Sequence, residues 1–155
     1  MANYSISNQN AGTQQAIATA YKTLASMFGA ATPNRGKLYD FMIGTDGTPA
    51  DNAMDFDVSR MTVDGTGTAN TPLPLDPADA ASTTTAKTNY TAEPTVTANS
   101  SMFFLGLNQR ASYRWVCAPG SEILWPATTA NGLVIRAKSA GYTGTATVTA
   151  LYQDQ

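Results

Sequence analysis

The chain contains no histidine. That absence removes the Ser-His-Asp and Cys-His pairings and the commonest metal ligand together, so a general acid or base would have to be a carboxylate. Glutamate is almost missing as well: Glu93 and Glu122 stand alone, and the aspartates sit mainly in turns or along one strand face. No two carboxylates fall at a spacing that suggests an acid/base pair. The single cysteine, Cys117, lies inside an apolar run, which excludes a disulfide framework and a thiol-bound metal. It reads as a small buried hydrophobe.

Charge is scarce. Charged residues make up 13% of the chain, against about 25% in ordinary globular domains. The lysines and arginines are scattered singly between Lys22 and Lys138 instead of forming the stripe that a phosphate backbone requires, so nucleic acid is not an expected partner. No apolar run approaches the roughly 20 residues of a membrane-spanning helix, and no membrane partner is expected. Met1 to Asn10 lacks the basic and apolar regions of a secretory signal, so synthesis and first folding in a cytoplasm are expected.

What is present is short, alternating and punctuated. The 155 residues suit one domain, large enough to bury its own core without metals or disulfides. Residues Met1 to Gly12 are polar and rich in Asn and Gln, with a weak alternation at Tyr4 and Ile6, and read as an extended N-terminal arm preceding a single domain over 13–155. Two patterns compete over Gln14 to Phe28. Ile17, Tyr21, Leu24 and Phe28 form a helical stripe, whereas Thr19, Thr23 and the alternating alanines favour a strand.

Lys37 to Ile43 predicts an inner strand with Tyr39, Phe41 and Ile43 on one face and Leu38 and Met42 on the other. GTDGTPADN, from Gly44 to Asn52, predicts a loop. Met54, Phe56 and Val58 then alternate with Asp55, Asp57 and Ser59, a strand with one wet face. Val63 to Ser100 is rich in Thr and Pro and poor in large apolar groups, and reads as a weakly structured segment that crosses the domain or leans on a neighbouring subunit. Within it, Asp76 and Pro77 predict the cap and first turn of one short helix, and Asn89 to Val96 an edge strand.

Ser101 to Ala127 concentrates the rare residues: both tryptophans, Cys117, Arg110 and Arg114. Phe103 to Leu107, Tyr113 to Cys117 and Ile123 to Trp125 predict a central meander. Leu133 to Ala137 follows an Asn131-Gly132 turn, and Thr143 to Ala150 alternates threonine with small apolar residues. The total, roughly eight to ten short strands, favours an all-β, jelly-roll-like antiparallel sandwich.

Candidate sites are few. Asp46, Asp51, Asp55 and Asp57 offer oxygen ligands for calcium, but their spacing does not match an EF-hand, and turn capping explains them more simply; no metal and no cofactor are expected. Glu122, beside the Pro119-Gly120 turn, should pair with a nearby arginine. Alternation along Tyr113 to Val116 puts Tyr113 and Trp115 on one face and Arg114 on the other. Aromatic residues with arginine suit the centre of a protein interface or a sugar-stacking platform, although a place in the core accounts for Tyr113 and Trp115 equally well.

Several strings carry a resemblance: YKTL at Tyr21 to Leu24, RGKLYD at Arg35 to Asp40, GTDGTPADNA at Gly44 to Ala53, and DVSR at Asp57 to Arg60. PLDPADAA at Pro74 to Ala81, NYTAEPT at Asn89 to Thr95 and NQRASYRWVCAPGSE at Asn108 to Glu122 extend it. From about Tyr21 to Ala140 the chain resembles a family of capsid cement or decoration proteins of tailed bacteriophages, in which alanine is expected where Cys117 stands. The resemblance implies a jelly-roll-like homotrimer on the outside of the phage head that ties major capsid subunits together. Its location would be the virion surface, its partner the major capsid protein, and it would not be an enzyme. Tyr4 and Ile6 in the arm, together with Arg110 and Arg114, are the expected interface residues. A carbohydrate- or receptor-binding head-fibre or tail module on the same sandwich, stacking sugars on Trp115 or Trp125, is the competing expectation.

Overall fold

A computed structural model describes residues 1–9, 14–30, 34–142 and 144–155. Twelve strands follow one another among these residues, with no helix: β1 (Asn3–Ser7), β2 (Lys22–Gly29), β3 (Gly36–Gly47), β4 (Ala53–Val63), β5 (Thr66–Asn70), β6 (Leu73–Pro74), β7 (Thr84–Ala92), β8 (Thr95–Asn108), β9 (Tyr113–Val116), β10 (Ile123–Trp125), β11 (Gly132–Lys138) and β12 (Gly144–Asp154). The first sheet runs β10-β3-β12-β1-β6, with β9 also on β3; the second runs β5-β7-β2-β11-β4-β8. Every strand pairing is antiparallel.

The two sheets meet in one core. Tyr4, Ile6, Phe41, Val148 and Tyr152 of the first are buried against Leu24, Met27, Phe56, Leu133 and Ile135 of the second. Alternation along β4, β11 and β12 matches the period-2 pattern read in the sequence, because each has an apolar face to bury. Thr143, where the last strand was expected to begin, lies outside the described residues.

Residues 63–100 hold β5, β6, β7 and the beginning of β8. Their pairing gives the second sheet its form. Met61 faces Val96, Val63 faces Thr95 and Thr66 faces Ala92, so β4 with β5 and β8 with β7 are the two sides of one antiparallel ribbon. The ribbon bends where Asp64-Gly65 passes Glu93-Pro94. One half then forms the sheet edge next to β11, and the other half forms the edge next to β2. A second, smaller core of Phe28, Met61 and Val134, with Val96 against it, joins the ribbon to β2 and β11. Gly65 is required at the bend because a Cβ there would strike the Ala92 carbonyl.

Six expectations are corrected. The segment read as an arm, Met1 to Gly12, is not separate from the domain where it is described: Asn3 to Ser7 pairs with β12 and β6 inside the first sheet, while the rest of the segment up to Gly12 lies partly outside the described residues. The short helix at Asp76 to Ala81 is a turn. Asp76 accepts the Ala78 N–H at 2.9 Å on Oδ1 and the Asp79 N–H at 3.0 Å on its carbonyl. The stretch has no apolar stripe to bury, and Asp154 draws Ser82, Thr83 and Thr84 out into β7.

Gln14 to Phe28 becomes a strand only from Lys22, and Asn89 to Val96 is split by the ribbon bend between β7 and β8. Leu38 shares the core face with Phe41 and Ile43, because a register shift against β12 leaves Tyr39 as an extra residue and inverts the alternation beyond it. Ser101 to Ala127 is not a meander: β8 lies in the second sheet, while β9 and β10 both pair with β3 in the first.

Candidate assembly surface

The crossing from β8 to β9 is a tight corner. Asn108 accepts the Ala111 N–H on its carbonyl and the Arg110 N–H on its side chain, each at 2.9 Å. Gln109, fully buried, fastens the corner: its side chain takes the Ala50 N–H at 2.9 Å and donates to Ser139 Oγ at 2.9 Å, and its carbonyl accepts from Thr45. The corner sets β9 across the core from β8. Tyr113 and Trp115 point inward, as their alternation predicts, and meet Phe103 with ring centroids 6.0 and 6.1 Å away. Trp115 also lies 5.3 Å from Phe41.

This mouth between the sheets is incompletely closed. Among the described residues β8 pairs with β4 alone, so its other side is a free edge. From Thr95 to Asn108 it carries no charge and no proline, two of the devices with which exposed edges are normally protected; its pairing with β4 is irregular near Ser59 and Met61. Phe104 is 60% exposed on the outside of β8, and Val116 is 58% exposed on the outside of β9.

Arg114 points to the outer face of the first sheet, opposite Met42 in the ladder. Its Nε donates to both oxygens of Asp40 at 3.1 and 3.2 Å and its Nη2 to one at 2.5 Å. These bonds raise the guanidinium pKa further, so it stays charged. Asp40 is buried while Arg114 remains open to solvent, so the outward group of the pair is cationic. Arg110 reaches Pro49 O at 3.3 Å and Asp51 at 3.3 Å, both at the surface. Arg110 and Arg114 therefore both lie open at the surface. Tyr4 and Ile6 do not, because their side chains are enclosed by this chain's own core.

The remaining candidates disperse. Asp51 pairs with Arg110, Asp55 with Lys138 and Asp57 with Arg136, and the described residues hold no metal-binding group of three or more carboxylates or thiols. Glu122 faces Lys37 at 4.0 Å, not an arginine. Backbone N–H groups, its own first, hold its carboxyl below the usual range, with Lys37 contributing less. Cys117 is half-buried, and its N–H donates to Tyr39 O at 2.9 Å. Burial, then the charge of Glu122, pushes its thiol up and away from reactivity. Trp125 is fully buried and presents no face to a sugar.

One constellation escaped the sequence pattern. Asp57 and Ser59 were expected on a wet strand face, yet both are buried. Arg136 covers them from the neighbouring strand, and the Tyr21 ring lies 4.5 Å from its guanidinium carbon. An arginine on the adjacent strand but 79 residues away in sequence leaves no local signal.

Fold and surface together describe a two-sheet all-β protein whose distinctive exterior is apolar and charge-poor. Comparison of the chain with protein-family models, curated proteins and solved structures gives no match.

Proposed function

We propose that the protein is a structural component of a tailed-phage virion, a cement or decoration protein. It binds the outside of the head as a homotrimer and stabilises contacts between major capsid subunits. The observation that carries this reading is the free β8 edge, uncharged and bearing exposed Phe104, a surface suited to burial by another protein. The motif resemblance supplies the setting, and a jelly-roll-like connection of the two sheets belongs to the same proposal.

The mechanism is burial of surface where shell subunits meet. Each contact is modest, but a trimer must break several together, so retention on the shell exceeds one protomer's affinity by avidity. A stiff sandwich transmits load across such a junction without a hinge.

The alternative is a carbohydrate- or receptor-binding module. It has one observation in its favour: a hollow of about 350 Å³ beside Arg110, lined with hydroxyls from Thr45, Ser112, Thr147 and Thr149. Immunogold electron microscopy of virions, together with sedimentation of the protein with DNA-free heads, separates the two readings. Label on heads and saturable co-sedimentation support the cement reading. Glycan-array binding with no affinity for heads would replace it with the alternative.

A further inference from the structure

Phe103 to Asn108 of β8 pair with Val58 to Ala53 of β4 in one unbroken register, and the shifts in that ladder begin only beyond Val58, at Ser59. The Gln109 N–H, next in the same register, donates to Asn52 O at 2.9 Å. Backbone direction alternates along an antiparallel strand, so Leu107, Leu105 and Phe103 turn their N–H and C=O groups to β4 as Gln109 does. Phe104 and Gly106 turn theirs to the free edge. Among the described residues neither has another strand beside it to pair with.

Phe104 and Gly106 also share a face, the outer face of the second sheet, opposite Asp57 and Asp55 in the ladder. The Phe104 ring is 60% exposed there, and two residues on Gly106 leaves bare backbone. This chain's own fold does not require that glycine: a Cβ would meet only Asp55 Oδ1 at 3.6 Å, an ordinary contact, and its φ is not positive. A glycine inside an edge strand without such a need marks close approach by another group. On the inner face Phe103, Leu105 and Leu107 are half-buried. None of these residues is charged, so the edge meets no like charge when it faces itself.

We infer that the β8 edge is covered by the β8 edge of a second copy, paired antiparallel about a two-fold axis at Leu105. That register opposes Phe104 to the partner's Gly106, and Gly106 to the partner's Phe104. Each of these pairs forms two backbone hydrogen bonds from groups that are free in one copy, and each exposed ring covers the bare backbone of the other copy's glycine. On the inner face the two Leu105 side chains meet, and Phe103 lies opposite the partner's Leu107. A register centred on Gly106 instead would oppose Phe104 to the partner's Asn108, whose carbonyl is already taken by the Ala111 N–H. The contact uses one patch on both partners and joins copies in pairs. It is therefore distinct from the trimer contact: copies seated side by side on a shell are tied to one another through β8. It rests on the cement reading only for that setting.

Cross-linking and mass test it. In a Cys117→Ala background, oxidised Leu105→Cys is expected to give a covalent dimer, because the two substituted positions face each other in a non-hydrogen-bonded pair with Cα atoms about 4.5 Å apart. Leu107→Cys is expected to give none, its counterpart lying roughly 13 Å away along the ladder. Gly106→Pro removes an outward N–H and leaves the bonds to β4 intact, so the protomer folds, as circular dichroism checks, while the edge is blocked. Light scattering in the absence of shells, at up to hundreds of micromolar protein, is expected to give an even multiple of the protomer mass for the unaltered chain and half that mass for Gly106→Pro. An odd multiple for the unaltered chain, unchanged assembly of Gly106→Pro, or a cross-link through Leu107→Cys and not Leu105→Cys overturns the inference. Binding to DNA-free heads is measured separately. Pairing without head binding rejects the cement reading and leaves the β8 contact standing; head binding by an unpaired chain keeps that reading and overturns the contact.

Discussion

Arg136 closes over Asp57 on the outer face of β4, donating to the same carboxylate oxygen from Nε at 2.9 Å and from Nη2. Ser59 Oγ donates to that oxygen as well, at 2.6 Å, and Ser101 Oγ donates to the other. The carboxylate is 2% exposed, so its acceptor sites are satisfied without water. The pair therefore ties β4, β8 and β11 together through one buried group.

Removing one partner should cost far more than removing both. Arg136→Leu leaves Asp57 buried without its cation and is expected to lower the unfolding free energy by about 3 kcal/mol; Asp57→Leu with Arg136→Leu should recover most of that loss. Urea unfolding of the two variants measures the difference. Equal losses would mean that the pair is not the source of the stability.

The amino-terminal residues are expected to behave as core. Ile6→Ala should destabilise by about 3 kcal/mol, because Ile6 is enclosed between β12 and the second sheet. Deleting Met1 to Ser7 should unfold the first sheet at its β1 position. A truncated protein with an unchanged melting temperature would show that the segment is dispensable.

Gly36 lies under the indole of Trp125, where an added Cβ would strike the ring. Gly36→Ala should displace Trp125, cost about 1–3 kcal/mol through overpacking, and shift its fluorescence to longer wavelength as the ring meets water. Unshifted emission with unchanged stability would contradict that packing.

Stability should fall at high pH. Burial pushes the phenols of Tyr90 and Tyr152 above the ordinary tyrosine value; the nearby carboxylates of Asp64 and Asp154 add to this, while hydrogen bonds from Ser26 and Ser82 partly oppose it. A group whose folded pKa is raised contributes stability that is complete below its unfolded pKa, about 10, and is lost as pH rises toward the folded pKa. The melting temperature should therefore show no tyrosine-linked decline up to about pH 9 and decline above 10. Tyr90→Phe should flatten that decline, and equal slopes with and without Tyr90 would exclude its part in it.

What the residues determine by themselves is the class of structure and the list of chemistries set aside. Met54-Phe56-Val58, Leu133-Ile135-Ala137 and Ala146-Val148-Ala150 are legible as strands because each faces the core on one side, so burial is printed in the sequence with a period of two. The missing histidine and the dispersed carboxylates are equally plain before any folding. Tyr4 and Ile6 alternate in the same way, yet their role was hidden, because the strand that pairs with them lies almost 150 residues away, at Tyr4↔Tyr152 and Ile6↔Ala150.

The tertiary structure alone decided three things. A register shift at Tyr39 turned Leu38 inward, the bend at Asp64-Gly65 sent one ribbon to both edges of a sheet, and Arg136 made a wet-looking strand face a buried one. The same holds for the candidate surface. Phe104, Val116, Leu73 and Leu75 look like ordinary strand residues in a row of letters; only the order of strands in the two sheets leaves them outside, with no strand among the described residues to cover them. Strand formation follows local alternation, whereas which strand becomes an edge depends on pairings between distant residues, and that is long-range information no short window contains.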